Sequence, residues 1–324
     1  MRVLVTGGAG YIGSVVAARL LADGHAVTVL DDLSTGHRDA VPDGAGFVPG
    51  SVQDTDAVGA VLEQLQPEAV LHFAARSIVG ESIADPGGYW QNNVLGTLAL
   101  LVAMRAHGVA RIVFSSSAAV YSAQAQAPIE ETAPTAPANP YGATKLAIDH
   151  ALTGFARAYG LVAVSLRYFN VAGALQLPDG RGYGERHRHE THLIPLALRA
   201  ATGDAEPLSV YGTDYPTPDG TCIRDYVHVV DLADAHVRAL ELGEPGEHHV
   251  VNLGSGCGYS VRGVLDAVAA VTGTGVPAVD AGRRPGDPPV LVASNELAAK
   301  LLGWSPQRDL PTMIDDAWRF AQGA

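Results

Sequence analysis

Val3-Leu4-Val5-Thr6-Gly7-Gly8-Ala9-Gly10-Tyr11-Ile12-Gly13 decides how this chain folds. A short apolar run reads as a strand, a glycine-dense turn follows, and a helix opens at about Tyr11. Gly7, Gly10 and Gly13 satisfy GxxGxxG, and from Gly8 the stretch also satisfies GxGxxG. Glycines at that spacing allow a tight turn, let a pyrophosphate approach backbone N–H groups, and bring helix and strand close together. The next strand runs to Leu30, and Asp31-Asp32 stands about 20 residues beyond the turn. A carboxylate at that place accepts adenosine ribose hydroxyls and repels a 2′-phosphate, which favours NAD over NADP.

Moving outward, Val3–Val5, Ala26–Leu30, Ala69–Phe73, Ile112–Phe114 and Val162–Leu166 read as strands. Helical periods cover Tyr11–Asp23, Asp54–Leu65, Tyr89–His107 and Tyr141–Tyr159. Apolar strands alternating with helices imply an α/β fold, a doubly wound parallel sheet of Rossmann type covered on both faces. After Val171 the texture changes, and Gly, Pro and charge accumulate through Pro178–Glu190. Residues 1–170 are therefore expected to form the NAD-binding domain, with 223–252 returning to it. Residues 171–324 are expected to supply most of a smaller α/β substrate domain. Pro128–Pro140 reads as a surface loop.

Bulk composition narrows the function. Apolar residues make up 47% of the chain and charged residues 17%, an ordinary globular balance. A net charge of −13 argues against nucleic acid or an anionic membrane as partner, and no apolar run reaches membrane-spanning length. Met1 leads straight into a strand and the only cysteines are Cys222 and Cys257, so a reducing cytoplasm is expected. An anionic substrate would need locally placed arginines.

Arginine outnumbers lysine 19 to 2, yet one lysine closes Tyr141-Gly142-Ala143-Thr144-Lys145. A spacing of four stacks phenol and ammonium on one helix face. A compact point charge under a ribose and beside a phenol is a task for Lys rather than Arg. The expected consequence is a lowered Tyr141 pKa, making the phenolate a base near neutrality. Upstream, Arg111-Ile112-Val113-Phe114 ends in Ser115-Ser116-Ser117, at the strand end where cofactors and substrates gather.

The order of glycine turn, Ser117, Tyr141 and Lys145 resembles the extended short-chain dehydrogenase/reductase family, and within it the UDP-glucose 4-epimerases along the whole chain. Further matching segments are His72–Ala75, Val79–Ser82, Asn92–Val94, Ser115–Tyr121, Arg167–Asn170, Asp219–His228 and Asn252–Gly254. The resemblance implies a catalytic set of Ser117, Tyr141 and Lys145. It implies an NAD site lined by Gly7, Gly10, Tyr11, Ile12, Gly13, Asp31, Asp32, Ser51, Val52, Phe73, Ala74, Ala75, Asn92, Tyr141, Lys145 and Phe169. It implies a UDP-sugar site formed by Ser117, Tyr141, Asn170, His192, Leu193, Arg224, Arg284, Asp287 and Leu291, and a homodimer built on the helices Tyr89–His107 and Tyr141–Tyr159. Fork-shaped donors at Arg224 and Arg284 suit a pyrophosphate on chemical grounds as well.

The chain departs from that pattern at four positions. Ser51 stands where many members carry Asp, Ser77 where some carry Lys, His192 where others carry Asn, and Leu291 where some carry Tyr. A leucine there leaves room beside the sugar and widens substrate range toward N-acetylated hexoses. Arg186-His187-Arg188-His189-Glu190-Thr191-His192 has three histidines but two intervening arginines and no cysteine, so it reads as a polar loop over the nucleotide, with no metal expected. A 4,6-dehydratase needs an Asp-Glu pair after the strand-end hydroxyl, whereas Ala118-Ala119 follows Ser117. An NAD-sensing regulator would need no Ser/Tyr/Lys set.

Overall fold

A computed structural model describes residues 1–284 and 286–323. Seven strands form one sheet: β1 (Arg2–Thr6), β2 (Ala26–Asp31), β3 (Gly46–Pro49), β4 (Ala69–His72), β5 (Arg111–Ser117), β6 (Val162–Tyr168) and β7 (His248–Leu253). Every pairing is parallel, in the order β3-β2-β1-β4-β5-β6-β7. The chain winds outward from β1 in both directions, so the crevice above β1 and β4 is a topological switch point. β3 is a strand that the sequence pattern did not announce.

Six helices position the site: α1 (Tyr11–Ala22), α2 (Thr55–Leu65), α3 (Gly96–Ala106), α4 (Pro140–Tyr159), α5 (Leu193–Ala201) and α6 (Val229–Ala239). On one face α1 and α6 pack with Val3, Val5, Val16, Leu20 and Leu232 in a fully enclosed core. On the other, α2, α3 and α4 cover Leu4, Val70, Ile112 and Ala163. Each such side chain contributes about 1.5–3 kcal/mol by leaving water.

A second sheet holds Asn170–Ala172, Ile223–His228, Gly258–Ser260 and Val290–Leu291. This corrects the returning segment expected at 223–252. Helix α6 and β7 do lie on the large sheet, but Ile223–His228 pairs with Asn170–Ala172 and Val290–Leu291 instead. Its apolar pattern alone could not tell which sheet edge it would join. The helix expected over Tyr89–His107 begins with a π-turn at Trp90–Leu95 before α3. No described helix is long and apolar enough to cross a membrane.

Candidate active site

The glycine turn is built by close approach. A Cβ at Gly13 would sit 2.3 Å from the Gly7 carbonyl oxygen, so only hydrogen fits where α1 leaves β1. The α1 N-terminus has no side-chain cap and no acidic residue in its first turn. Its first N–H groups are therefore free to meet an anion, with the helix dipole behind them. At the end of β2, Asp31 accepts the Ala9 N–H at 3.0 Å and the Leu33 N–H at 2.8 Å. Desolvation raises the Asp31 pKa, and those two hydrogen bonds oppose the rise. Asp32 accepts from Ser34 N–H. Ser51 is occupied locally, accepting from Gln53 N–H at 3.3 Å.

The π-turn aims neighbouring asparagines in different directions, a common use of such a bulge. Asn93 is buried and bonds to Arg76 and Thr144, while Asn92 faces the cavity.

Helix α4 is anchored at its start by Asn139, whose side chain accepts the Gly142 N–H at 2.8 Å, and by Pro140 in the first turn. A Cβ at Gly142 would lie 2.2 Å from the Ala119 carbonyl, so this glycine lets α4 sit directly on the end of β5. That contact brings Tyr141, in the first turn, to Ser117. Lys145, one turn later, is buried; its Nζ donates to the Ser115 carbonyl at 2.7 Å and lies 5.7 Å from the Tyr141 ring centroid.

The electrostatics differ from the expected lowering of Tyr141. Desolvation raises the Tyr141 pKa, the Ser117 hydroxyl only partly offsets this, and Lys145 is not among the groups acting on it. Desolvation instead pulls Lys145 down to about 7, with the Asp149 carboxylate pulling the other way. Burying the phenolate costs more than the Ser117 hydrogen bond returns, which is why helical spacing alone gave the wrong direction.

The residues assigned to the catalytic, NAD and UDP-sugar sets, from Gly7 to Leu291, all line one cavity of about 1330 Å³. At its far wall Arg224 donates to the Ile223 and Pro288 carbonyls. Among the described residues its Nη2 is buried without a hydrogen-bond partner, with Asp287 Oδ1 3.5 Å away. Arg284 Nε meets the other Asp287 oxygen at 2.9 Å. Asn170 is fixed by the Asp225 carbonyl at 3.0 Å. Helix α5 starts at Leu193 with no side-chain cap from His192 and no acid in its first turn; Pro195 carries no N–H, so Leu193 and Ile194 supply the backbone donors at this cavity wall. Leu291 faces the cavity while packing against the small apolar cluster that includes Ala118, Tyr121 and Phe169; Val290 does not line it.

Several contributors were not legible in advance. Asp149 and Arg167 form a buried pair behind Lys145. The Tyr168 hydroxyl donates to Ser115 Oγ. Glu185 and Glu190 gather His187 and His192, and His187 is held up at about 10 by those two carboxylates. A helical spacing of four from Lys145 could have flagged Asp149.

Comparison with known proteins follows the same lines. The model of the NAD dependent epimerase/dehydratase family matches residues 3–254. The UDP-glucose 4-epimerase of Corynebacterium glutamicum is 55% identical over 321 residues, covering 99% of this chain and 95% of that protein. That of Streptomyces lividans is 54% identical over 318 residues, covering 98% and 95%. The solved UDP-glucose 4-epimerase of Brucella ovis in complex with NAD superposes with a TM-score of 0.93 at 48% identity, covering 98% of this chain and 97% of that one. The Stenotrophomonas maltophila enzyme, with bound NAD and formylated UDP-arabinopyranose, gives 0.94 at 40% identity, covering 99% and 98%.

Proposed function

We propose that this chain, which belongs to the NAD dependent epimerase/dehydratase family, catalyses NAD-dependent 4-epimerisation of a UDP-hexose, UDP-glucose and UDP-galactose, through a transient 4-keto sugar. The observation that carries this reading is the meeting of Ser117, Tyr141 and Lys145 in a cavity whose two ends suit two different phosphate-bearing ligands. Single small-molecule pockets run to roughly 300–1,000 Å³. The 1330 Å³ here exceeds that range, as a site for both a dinucleotide and a nucleotide sugar should.

The residues at the first end fit NAD. The uncapped α1 N-terminus would hold its diphosphate, Asp31 and Asp32 its adenosine ribose, and Ser51 and Val52 the adenine edge. Phe73, Ala74, Ala75, Asn92 and Phe169 would line the remainder, with Tyr141 and Lys145 at the second ribose. When bound, NAD+ supplies a hydride acceptor that returns what it takes, and a fixed positive charge beside the phenol.

At the other end, Arg224 and Arg284 would meet the UDP diphosphate, with Nη2 of Arg224, unpartnered among the described residues, as the vacant donor. Asn170, His192 and the N–H groups at Leu193 extend that anchor, and Asp287 aligns the two guanidiniums. Tyr141 takes the proton of the sugar 4-hydroxyl onto its phenolate oxygen and later returns it to the same oxygen. Ser117 hydrogen-bonds the reacting oxygen, and Lys145 fixes the ribose and the phenol in register. A diphosphate anchor remote from the reacting carbon leaves the hexose free to present either face.

A homodimer is part of this proposal. It is supported by Leu95 and Val102, seven residues apart along the Trp90–Ala106 helical stretch and 60% and 59% exposed, with Trp90 also exposed nearby. A cytoplasmic setting is supported by two unpaired cysteines, one of them exposed.

The direct test is a panel of UDP-sugars incubated with the purified protein, the 4-epimers being resolved by chromatography, with the nucleotide released by denaturation identified in parallel. Interconversion of UDP-glucose and UDP-galactose together with protein-bound NAD is expected. Bound NADP, or no conversion of either hexose, would refute the reading.

A further inference from the structure

We propose that Glu185, His187, Glu190 and His192 form a binding site for one divalent cation of the Zn2+ class, held in the loop that precedes α5. One donor atom from each residue lies within 4.8 Å of all the others. His187 Nδ1 is 3.1 Å from Glu185 Oε1 and 3.5 Å from Glu190 Oε2. His192 Nδ1 is 3.8 Å from Glu190 Oε1 and in contact with the same Glu185 Oε1. A tetrahedral Zn2+ with bonds of about 2.0–2.2 Å sets neighbouring donors roughly 3.3–3.6 Å apart. The separations fall on both sides of that value and reach up to 4.8 Å, so an ion at the centre would draw the four donors into place by shifts of up to about an ångström, within reach of side-chain rotation in a loop.

The charge arrangement favours a cation over simple ion pairing. Both imidazoles turn Nδ1 toward one carboxylate oxygen, with ring centroids 5.4 Å apart. As ion pairs this sets two positive rings side by side on one acceptor. With a divalent ion the imidazoles are neutral, their Nδ1 protons pass to solvent, and two carboxylates balance the charge. The carboxylates are deeply placed for a surface loop, with side chains 8% and 5% exposed. Buried carboxylates demand a compensating positive charge close by. The two arginines that argued against a metal in the sequence do not enter the cluster. Arg186 reaches across to Asp39 through bonds of 2.8 and 2.9 Å, and Arg188 is exposed. His189, the third histidine of the run, is exposed and outside the cluster; the two glutamates replace it.

This inference does not depend on the epimerase reading, and its test reads metal rather than turnover. The purified protein, stripped with a chelator, is titrated with Zn2+ alone, desalted and assayed for metal by mass spectrometry. Co2+ is added in a parallel sample for its visible spectrum. One Zn2+ per chain and an intense four-coordinate Co2+ spectrum are expected. His187→Asn and Glu190→Gln, checked for fold by circular dichroism, should each weaken uptake by about tenfold or more, the scale at which even outer partners of a metal act. His189→Asn should retain it. Substoichiometric uptake by the wild type, a six-coordinate Co2+ spectrum, uptake indifferent to the cluster variants, or uptake lost in His189→Asn would each overturn the proposal. The wild-type stoichiometry and Co2+ spectrum decide the matter even where a variant fails to fold.

Discussion

Asp149 takes both Nε and Nη2 of Arg167 on a single carboxylate oxygen, at 3.0 and 2.8 Å, and its other oxygen is buried without a partner. The pair sits one helical turn beyond Lys145. Arg167 also donates to the Tyr121 hydroxyl at 3.1 Å, which in turn donates to Asn252 at 2.7 Å. Buried polar groups thus extend behind Lys145, whose Nζ itself donates to the Ser115 carbonyl and lies 4.8 Å from the Phe114 ring centroid. Asp149 is the neighbour whose charge favours protonated Lys145.

Breaking this pair should be costly. In Asp149→Asn the Arg167 guanidinium remains buried without its counter-charge, a situation that destabilises by about 3–5 kcal/mol. Urea unfolding should show that loss. The double variant Asp149→Leu/Arg167→Met removes both charges and should recover most of it. Equal stability of Asp149→Asn and the parent would contradict the pairing.

Two buried imidazoles and a third partly buried one make the fold sensitive to acid. Desolvation lowers His72 to about 3, and His236 and His248 to about 4, from an ordinary value of 6.5. Between those values the unfolded chain binds protons that the folded chain refuses. Stability is thus complete above pH 6.5 and falls as pH drops toward 4, by up to about 1.4 kcal/mol per pH unit for each histidine. Thermal midpoints recorded from pH 7 to pH 4 should fall increasingly steeply. His72, held between Thr6 and Thr97 hydroxyls, is the residue to replace. His72→Gln should flatten the slope at the expense of stability at neutral pH.

Removal of the Tyr141 hydroxyl addresses chemistry directly. Tyr141→Phe keeps the ring on the cavity wall and should keep bound NAD, while turnover drops by about 10²–10⁴-fold, the usual contribution of a positioned acid/base group. Near-normal turnover would remove Tyr141 from its role. Because desolvation raises the phenol's pKa, the parent's turnover should decline on the acid side of its pH profile, where the phenol stays protonated.

The exposed apolar stripe predicts self-association. Leu95→Glu together with Val102→Glu sets charges in the middle of it and should convert a dimer to a monomer in analytical ultracentrifugation. A parent that already sediments as a monomer would show that the stripe has another use.

How much of this was readable from sequence follows from what each residue does locally. The glycine turn was legible because backbone contact leaves no alternative to glycine at Gly13. Tyr141 and Lys145 were legible because helical spacing is fixed by geometry. Glu185 and Glu190 were not, since carboxylates in a polar loop look like solvated ones until the loop folds around them. The direction of the Tyr141 shift was also hidden. Pairing with Lys145 can be read from spacing, but desolvation depends on the cavity that α4 and the end of β5 form together. Ile223–His228 went to the second sheet because a strand's partner is set by tertiary packing, which an apolar run does not encode.

Leu291 connects sequence to substrate range. It pairs in register with Arg224 on the adjacent strand, so its side chain is held in a fixed place relative to that arginine. One part of it packs against the small apolar cluster that includes Ala118 and Phe169 while another faces the cavity, so it serves both as core and as wall. A tyrosine at this position would extend a ring and a hydroxyl into the space beside the sugar. Leucine leaves that space open, and relief of a steric clash relaxes discrimination by roughly 1–3 kcal/mol for each methylene-sized change. The parent is therefore expected to convert UDP-glucose and UDP-galactose as its main pair and UDP-N-acetylglucosamine measurably. Leu291→Tyr should lose the N-acetyl activity selectively, because the larger substrate needs the volume that the ring occupies. Thermal midpoints of the variant separate a gate from a damaged core: unchanged stability with selective loss supports the gate. Equal loss of both activities, or a parent inactive on the N-acetyl sugar, would rule it out.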